Sequence, residues 1–433
     1  MIRAEGITKI FGDAPEDIFE LLKQGKSKDD IQQETGHVVG VSRASFKLAA
    51  GETFVIMGLS GSGKSTLLRC INRLVEPTAG KIFLDLPDGE SIEITGLNEE
   101  GLRDVRTHHV SMVFQHFALL PHRTVLSNIA YGLEVQGYGR AERMESAREA
   151  LEMVGLGAWG DAYPSALSGG MQQRVGLARA LATQASVLLM DEPFSALDPL
   201  IKVNMQDELI KIQEQLGRTI IFITHDLDEA MRIGNRIAIM DGGIIVQIGT
   251  PEEILVNPKT AYVANFVEHA DPTGVLTAKT IALPLHSEHF EHVGRDGSLE
   301  YYSRVAYPDI RYGVDAQGKL AKLFVADKPV ALEPLSGVTT SAITSDSSAQ
   351  RRKDVALVAP ESAVLRQVLQ GRRYSILPTV VVSTETQQFL GVIDEPELIK
   401  GILEKRGYGA TAHDIQATSA STDEAPAVGA AAR

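Results

Sequence analysis

Apolar residues between positions 38 and 268 follow two rhythms. Short unbroken runs, at Thr53-Phe-Val-Ile-Met57, Val187-Leu-Leu-Met190 and Thr219-Ile-Ile-Phe-Ile223, have the pattern of strands buried on both faces. Leu67, Leu68, Ile71, Leu74 and Val75 instead fall at helical spacing and predict an amphipathic helix starting near Lys64. Alternation of the two predicts a mostly parallel sheet covered by helices. Arg236–Met240 and Ile244–Ile248 flank Asp241-Gly-Gly243, the pattern of a hairpin. Thr250-Pro-Glu-Glu253 then opens a helix, with threonine as cap, proline at the first position and glutamate at the third.

Two regions break this rhythm. After Phe11 and Gly12, residues 13–37 carry two short helical patterns, one marked by Ile18, Phe19, Leu21 and Leu22, the other capped at Ser27-Lys-Asp-Asp30. His37-Val-Val-Gly40 resumes the sheet. After Ala270 the texture changes, and two segments of similar size flank a Ser/Thr-rich stretch at Ser336–Asp354. The second reads as a strand from Val355, a helix over Ser362–Gln370, strands at Ser375–Val382 and Phe389–Ile393, and a helix from Pro396. From Ala410 onward the Ala/Thr/Ser-rich chain lacks the apolar residues for a core and is expected to be disordered.

A chain of 433 residues predicts two or three domains. The net charge of −14 argues against a nucleic-acid partner, which calls for a basic surface. The single cysteine, Cys70, excludes an intramolecular disulfide and reads as a small apolar residue within a helix. The first residues contain no apolar signal segment, and no run approaches the ~18–20 apolar residues a membrane span needs. These features predict a cytoplasmic protein whose link to a membrane, if it has one, runs through a partner.

The chemistry begins at Gly58-Leu-Ser-Gly-Ser-Gly-Lys-Ser-Thr66, which fits G-x-x-x-x-G-K-[ST] between a predicted strand and helix. Without Cβ atoms, the glycines let successive backbone N–H groups converge on phosphate oxygens. The helix start adds a field that favours anions. Lys64 is expected to reach the β- and γ-phosphates, and the Ser65 hydroxyl to hold Mg²⁺. Asp191 and Glu192 end an apolar strand, where open sheets present ligands. There Asp191 is expected at Mg²⁺, through a water, and Glu192 at the attacking water as base or orienting acceptor.

The order of phosphate loop, Leu167-Ser-Gly-Gly-Met-Gln-Gln-Arg174 and Val187-Leu-Leu-Met-Asp-Glu192 resembles the ATPase subunits of ABC transporters, across residues 1–268. The resemblance implies an ABC-type nucleotide-binding fold, a mostly parallel sheet with a helical subdomain, binding ATP and Mg²⁺ and working as a pair with a second copy of itself. It makes Gln115 the residue linking metal and attacking water to the transporter interface, and Phe11 the ring stacked on adenine. Ser168, Gly169 and Gly170 would clamp the γ-phosphate held by the other protomer, with Asp198 in the adjoining loop. His225 would be the switch histidine. Gly58, Leu59, Ser60, Gly61, Ser62, Gly63, Lys64, Ser65 and Thr66 would enclose the phosphates, and Ser65, Gln115 and Asp191 the metal. Met171 stands where the family commonly has glutamine; the phosphate contacts come from Ser168 and the glycines, so activity is expected to survive. His108, His109, His116 and His122 cluster in sequence, but their spacing fits no common ligand motif.

Several segments are similar to a narrower branch, the importers of quaternary amines such as glycine betaine, proline betaine, carnitine and choline. They are the insertion ending Gly36-His-Val-Val-Gly40, Ile56-Met-Gly-Leu-Ser-Gly-Ser-Gly63, Ser195-Ala-Leu-Asp-Pro-Leu200 with Met205–Leu209, and His225–Arg232. That likeness implies a membrane permease as direct partner, a substrate-binding protein as indirect one, and a place on the inner face of the plasma membrane. It also implies a tandem of degenerate CBS-like α+β modules after the ATPase domain. The expected plan is therefore an ATPase domain at 1–268 with a helical insertion at 13–37, CBS-like modules at 269–340 and 341–408, and a tail at 409–433. Asp394 and Glu397 replace the Thr and Asp such modules use to hold a ribose, and Lys322 stands where a glycine is usual, so these modules are expected to pack without a nucleotide. Other readings are an ABC ATPase importing another small solute, such as an amino acid, and a soluble ABC ATPase of DNA repair or translation. The latter group carries paired cassettes, coiled-coil insertions or basic surfaces that this sequence lacks.

Overall fold

The computed structural model describes residues 1–86, 89–115, 118–337 and 351–403. The chain divides into two compact units, Met1–Ala264 and Asn265–Arg433.

In the first unit, β1 (Ile2–Phe11), β2 (Val38–Leu48), β4 (Ala79–Asp85) and β5 (Ser91–Glu93) form an antiparallel sheet in the order β2-β1-β4-β5. A second sheet has the order β10-β9-β3-β8-β7-β6. Its strands are β3 (Thr53–Met57), β6 (Val110–Val113), β7 (Val187–Asp191), β8 (Thr219–Ile223), β9 (Arg236–Asp241) and β10 (Ile244–Gly249). All its pairings are parallel except the closing hairpin of β9 and β10. That hairpin turns at Gly242 (φ 55°) and Gly243 (φ 88°), the double left-handed turn that the Asp-Gly-Gly sequence favours. The unbroken apolar runs of β3, β7 and β8 are buried at every position. The core gathers Ile2, Ile7 and Leu48 from the first sheet with Phe54, Leu189 and Ile221 from the second, and the Phe46 and Phe54 rings stack at 5.3 Å.

Helix α3 (Lys64–Ile71) starts where its sequence predicts but ends sooner. Arg73 takes a left-handed conformation (φ 52°) and Asn72 Oδ1 accepts from the Leu74 amide, so Leu74 leaves the helical stripe and is exposed. Cys70 is fully buried on this helix, and burial pushes its thiol up to about 12, the behaviour of a packing residue. The insertion holds α1 (Ile18–Lys23) and α2 (Lys28–Thr35), the latter capped by Ser27 Oγ accepting from the Asp30 amide. Ile18 and Ile31 pack with Ile10 and Val39, and Phe11 pairs directly with Val38.

The second unit is built on one nine-stranded sheet, ordered β11-β19-β18-β17-β16-β15-β14-β13-β12. Its C-terminal part has the predicted order: β17 (Val355–Pro360), a helix Leu365–Gly371, β18 (Thr379–Val382), β19 (Phe389–Ile393) and a helix Glu395–Leu403. Strand β18 starts later than its sequence suggests, because Ser375 Oγ donates to Val355 O and accepts from the Leu377 amide, tying the chain into a turn. The preceding segment differs from a second β-α-β-β-α module. After the two-residue β11 (Leu283–Pro284), β12 (Phe290–Asp296), β13 (Leu299–Arg304), β14 (Tyr307–Val314), β15 (Leu320–Val325) and β16 (Lys328–Pro334) run as an antiparallel meander with no intervening helix. Left-handed residues at Gly297, Gly318 and the pair Ala326–Asp327 make turns too short for one. A parallel β16–β17 pair fuses both segments into a single sheet-rich α+β unit, consistent with a CBS-like module. Most of the Ser336–Asp354 stretch and the whole 409–433 tail lie outside the described residues.

Candidate nucleotide site

The phosphate loop is held by its neighbours' backbones. A Cβ at Gly58 would come within 2.2 Å of Met240 O, and one at Gly63 within 2.1 Å of Gly40 O. No side chain fits either position. The tip of the β9–β10 hairpin braces the loop, with the Gly243 amide donating to Ser62 O and the Ser42 amide to Gly243 O. Leu59, Ser60 and Gly61 stay exposed, while Ser62 and Lys64 are buried. Lys64 Nζ donates to Gly58 O (3.0 Å) and Leu59 O (2.9 Å). Burial lowers its pKa from the ordinary lysine value, while the nearby Glu192 and Asp191 charges act in the opposite direction. Ser62 Oγ is buried without a hydrogen-bond partner. A cradle closed to Cβ atoms, a buried cation and an orphaned hydroxyl fit a bound polyphosphate.

Ser65 and Thr66 begin α3. Ser65 Oγ donates to Asp191 Oδ1 at 2.7 Å, so the loop and the end of β7 meet through hard oxygen donors, a set suited to Mg²⁺. Asp191 is fully buried, and its other oxygen accepts from Arg69 Nη2 at 2.9 Å. The next residue, Glu192, sits at φ 49°, a left-handed conformation that costs a non-glycine about 1–3 kcal/mol and recurs at functional sites. Gln115 Nε2 donates to Glu192 Oε2 at 3.3 Å, and His225 Nδ1 lies 3.4 Å from the same oxygen. Gln115, Glu192 and His225 each follow the C-terminal end of a parallel strand, which is why three distant stretches of sequence meet at one carboxylate.

Ser168 caps the helix Gly169–Ala182, its side chain accepting from the Met171 amide at 3.3 Å. No hydrogen bond among the described residues joins Ser168, Gly169 or Gly170 to the phosphate loop of the same chain. Gly170 instead packs against Leu197, and Asp198 caps the helix Pro199–Leu216 by accepting from the Ile201 amide. Phe11 ends β1, exposed, with its ring against Gly40 and Lys9 Nζ 5.0 Å from the ring centre. His108 pairs with Asp104, and His116 lies outside the described residues.

Two residues of this site were not anticipated. Arg69 lies one helical turn after Ser65, a spacing that places it on the same face of the helix. Gln173 is buried and donates from Nε2 to Glu192 O at 3.3 Å, tying the helix that starts at Ser168 to the acidic strand end. Its position within the Met171–Arg174 stretch was the only available signal. Beside Gln115, a cleft of about 350 Å³ opens between Asn72, Arg106, Phe114, Tyr131, Val135 and Arg179. No helix among the described residues is long and apolar enough to cross a membrane.

Comparison with known proteins agrees with this geometry. Residues 41–195 match the ABC transporter family. The chain is 46% identical over 409 residues to the glycine betaine transport ATP-binding protein OpuAA of Bacillus subtilis, covering 94% of this chain and 93% of the relative. It is 55% identical over 293 residues to the glycine betaine/carnitine transport ATP-binding protein GbuA of Listeria monocytogenes, covering 68% of this chain and 72% of that protein. Among solved structures it is similar to the dimeric ATP-binding cassette MJ0796 bound to ADP and Pi, with a TM-score of 0.50 and 30% identity, covering 58% of this chain and 99% of the cassette. The phosphate loop, the carboxylates at the end of β7 and these likenesses together place the chain among the nucleotide-binding ATPase subunits of ABC transporters, in the family that includes the glycine betaine transport ATP-binding proteins.

Proposed function

We propose that this chain hydrolyses ATP to energise import of a quaternary amine, such as glycine betaine, proline betaine, carnitine or choline. The observation that carries the solute class is the 46% identity to a glycine betaine transport ATP-binding protein, sustained through the C-terminal unit. Both reported relatives are named for solutes bearing a trimethylated ammonium group, glycine betaine and carnitine.

In this reading the loop Gly58–Thr66 holds the phosphates, with Lys64 turning from Gly58 O and Leu59 O toward them. Ser65, Asp191 and Gln115 would hold Mg²⁺, which would supply neutralisation of the phosphate charge. Glu192 Oε2 orients and deprotonates the attacking water, and Gln115 and His225 hold that carboxylate in place. Ser168, Gly169 and Gly170 act on the loop of a second copy, a reading supported by the lack, among the described residues, of any hydrogen bond from them to their own loop. Asp198 lines the same junction and Phe11 stacks on the base. The cleft beside Gln115 receives a permease helix, so that closing of the ATPase pair reaches the membrane. The chain itself stays on the cytoplasmic side, and a separate binding protein with an aromatic cage captures the solute.

Reconstitution with its permease and binding protein in proteoliposomes tests this. ATP-dependent uptake of at least one labelled quaternary amine is expected. Uptake of an amino acid with none of any quaternary amine would overturn the solute class while leaving the ATPase assignment standing.

A further inference from the structure

The insertion between β1 and β2 reaches the nucleotide site. Its two helices are anchored on the sheet by Ile18 and Ile31 packing with Ile10 and Val39, so the start of α2 has a fixed position. From there Lys28 Nζ donates to Gly61 O at 3.3 Å, the only hydrogen bond among the described residues from α2 to the phosphate loop. The insertion carries three lysines. Lys23 is paired with Glu20 and Lys26 with Glu34, both within the insertion. Lys28 has no carboxylate partner among the described residues, although Asp29 and Asp30 follow it in sequence; Asp30 is occupied by the Ser27 hydroxyl.

A carbonyl partner orients an ammonium group without neutralising it. Lys28 therefore sets an uncompensated charge on the outer side of the loop, with Lys64 buried within it. Its long flexible stem allows the group to turn from Gly61 O to a phosphate oxygen. A polyphosphate approaching a chain of net charge −14 meets an unfavourable overall field, which raises the value of a local cation.

We propose that Lys28 is a further nucleotide-binding residue, a cation that the insertion supplies to the polyphosphate of ATP and ADP. The proposal rests on the nucleotide-binding reading of Gly58–Thr66, and its test separates the two. Fluorescent ATP and ADP are titrated against the full-length chain, with unlabelled adenosine as competitor. Lys28→Gln is expected to weaken ATP and ADP by about three- to tenfold, the effect of one partly screened charge at close range. Lys28→Glu should weaken them further, Lys28→Arg should bind like the wild type, and Lys23→Gln should change nothing. Adenosine, without phosphates, should compete equally well against every variant, which a merely structural role would not allow. Unchanged ATP affinity in Lys28→Gln, or an equal loss for adenosine, would overturn the assignment. Failure of the wild-type chain to bind ATP would overturn the nucleotide site and Lys28's part in it together.

Discussion

Gln115 Nε2 donates to Glu192 Oε2 across 3.3 Å, joining residues 77 positions apart at the ends of the neighbouring parallel strands β6 and β7. This pairing ties the cleft beside Gln115 to the carboxylate at the centre of the site. A movement of the segment after β6 is felt at Glu192 directly.

Replacing Glu192 by glutamine keeps the side chain's shape and removes its ability to take a proton. ATP turnover is expected to fall by about 10²–10⁴-fold while ATP binding is retained. Phosphate release and nucleotide titration measure the two effects separately. Turnover at the wild-type rate would remove Glu192 from the chemistry.

The position of Ser168 on the helix Gly169–Ala182, with no bond to its own phosphate loop, leads to a mixing experiment. Lys64→Ala and Ser168→Arg chains should each be inactive alone. In a heterodimer both lesions fall in one composite site and leave the other intact. Recovery of ATPase activity on mixing is the expected outcome; activity no higher than the mean of the two pure variants would mean that each chain works alone.

In the second unit, Arg304 and Glu397 form a bidentate pair with side chains only 7% and 12% exposed. Glu397→Ala leaves the guanidinium buried without its partner and should cost about 3–5 kcal/mol. Replacing both, as Arg304→Met with Glu397→Leu, should recover most of that loss. Hydrogen exchange in peptides covering Leu299–Arg304 reads the effect where it arises. Equal protection in Glu397→Ala and wild type would show that the pair contributes no net stability.

Much of the first unit is legible in sequence because its signals are local. Buried runs name β3, β7 and β8, two glycines name the closing hairpin, and the capping box at Thr250–Glu253 names the helix Pro251–Val256. The meeting of Gln115, Glu192 and His225 followed only from family resemblance, since strand order is a long-range property that no window of residues encodes. The early end of α3 escaped notice because Leu74 keeps helical spacing after Asn72 has already turned the chain. The meander β12–β16 was harder still. Its strands are largely exposed and carry little apolar rhythm, and although Gly297 and Gly318 mark two of its turns, the turns at Val305–Ala306 and Ala326–Asp327 have no glycine, so the segment did not read as a continuous run of strands.

The pairing of Phe11 with Val38 means that the chain leaves the sheet and returns to it at facing positions, roughly 5 Å apart across an antiparallel ladder. Residues 12–37 are thus an elaborated hairpin tip: their removal would leave two strand ends that a two-residue turn can bridge with little closure entropy. Such an arrangement makes the segment a transplantable part. A cassette lacking it could accept it at the same rung of the ladder, acquiring Lys28 with the graft, and the four-stranded sheet beneath would need no change in register.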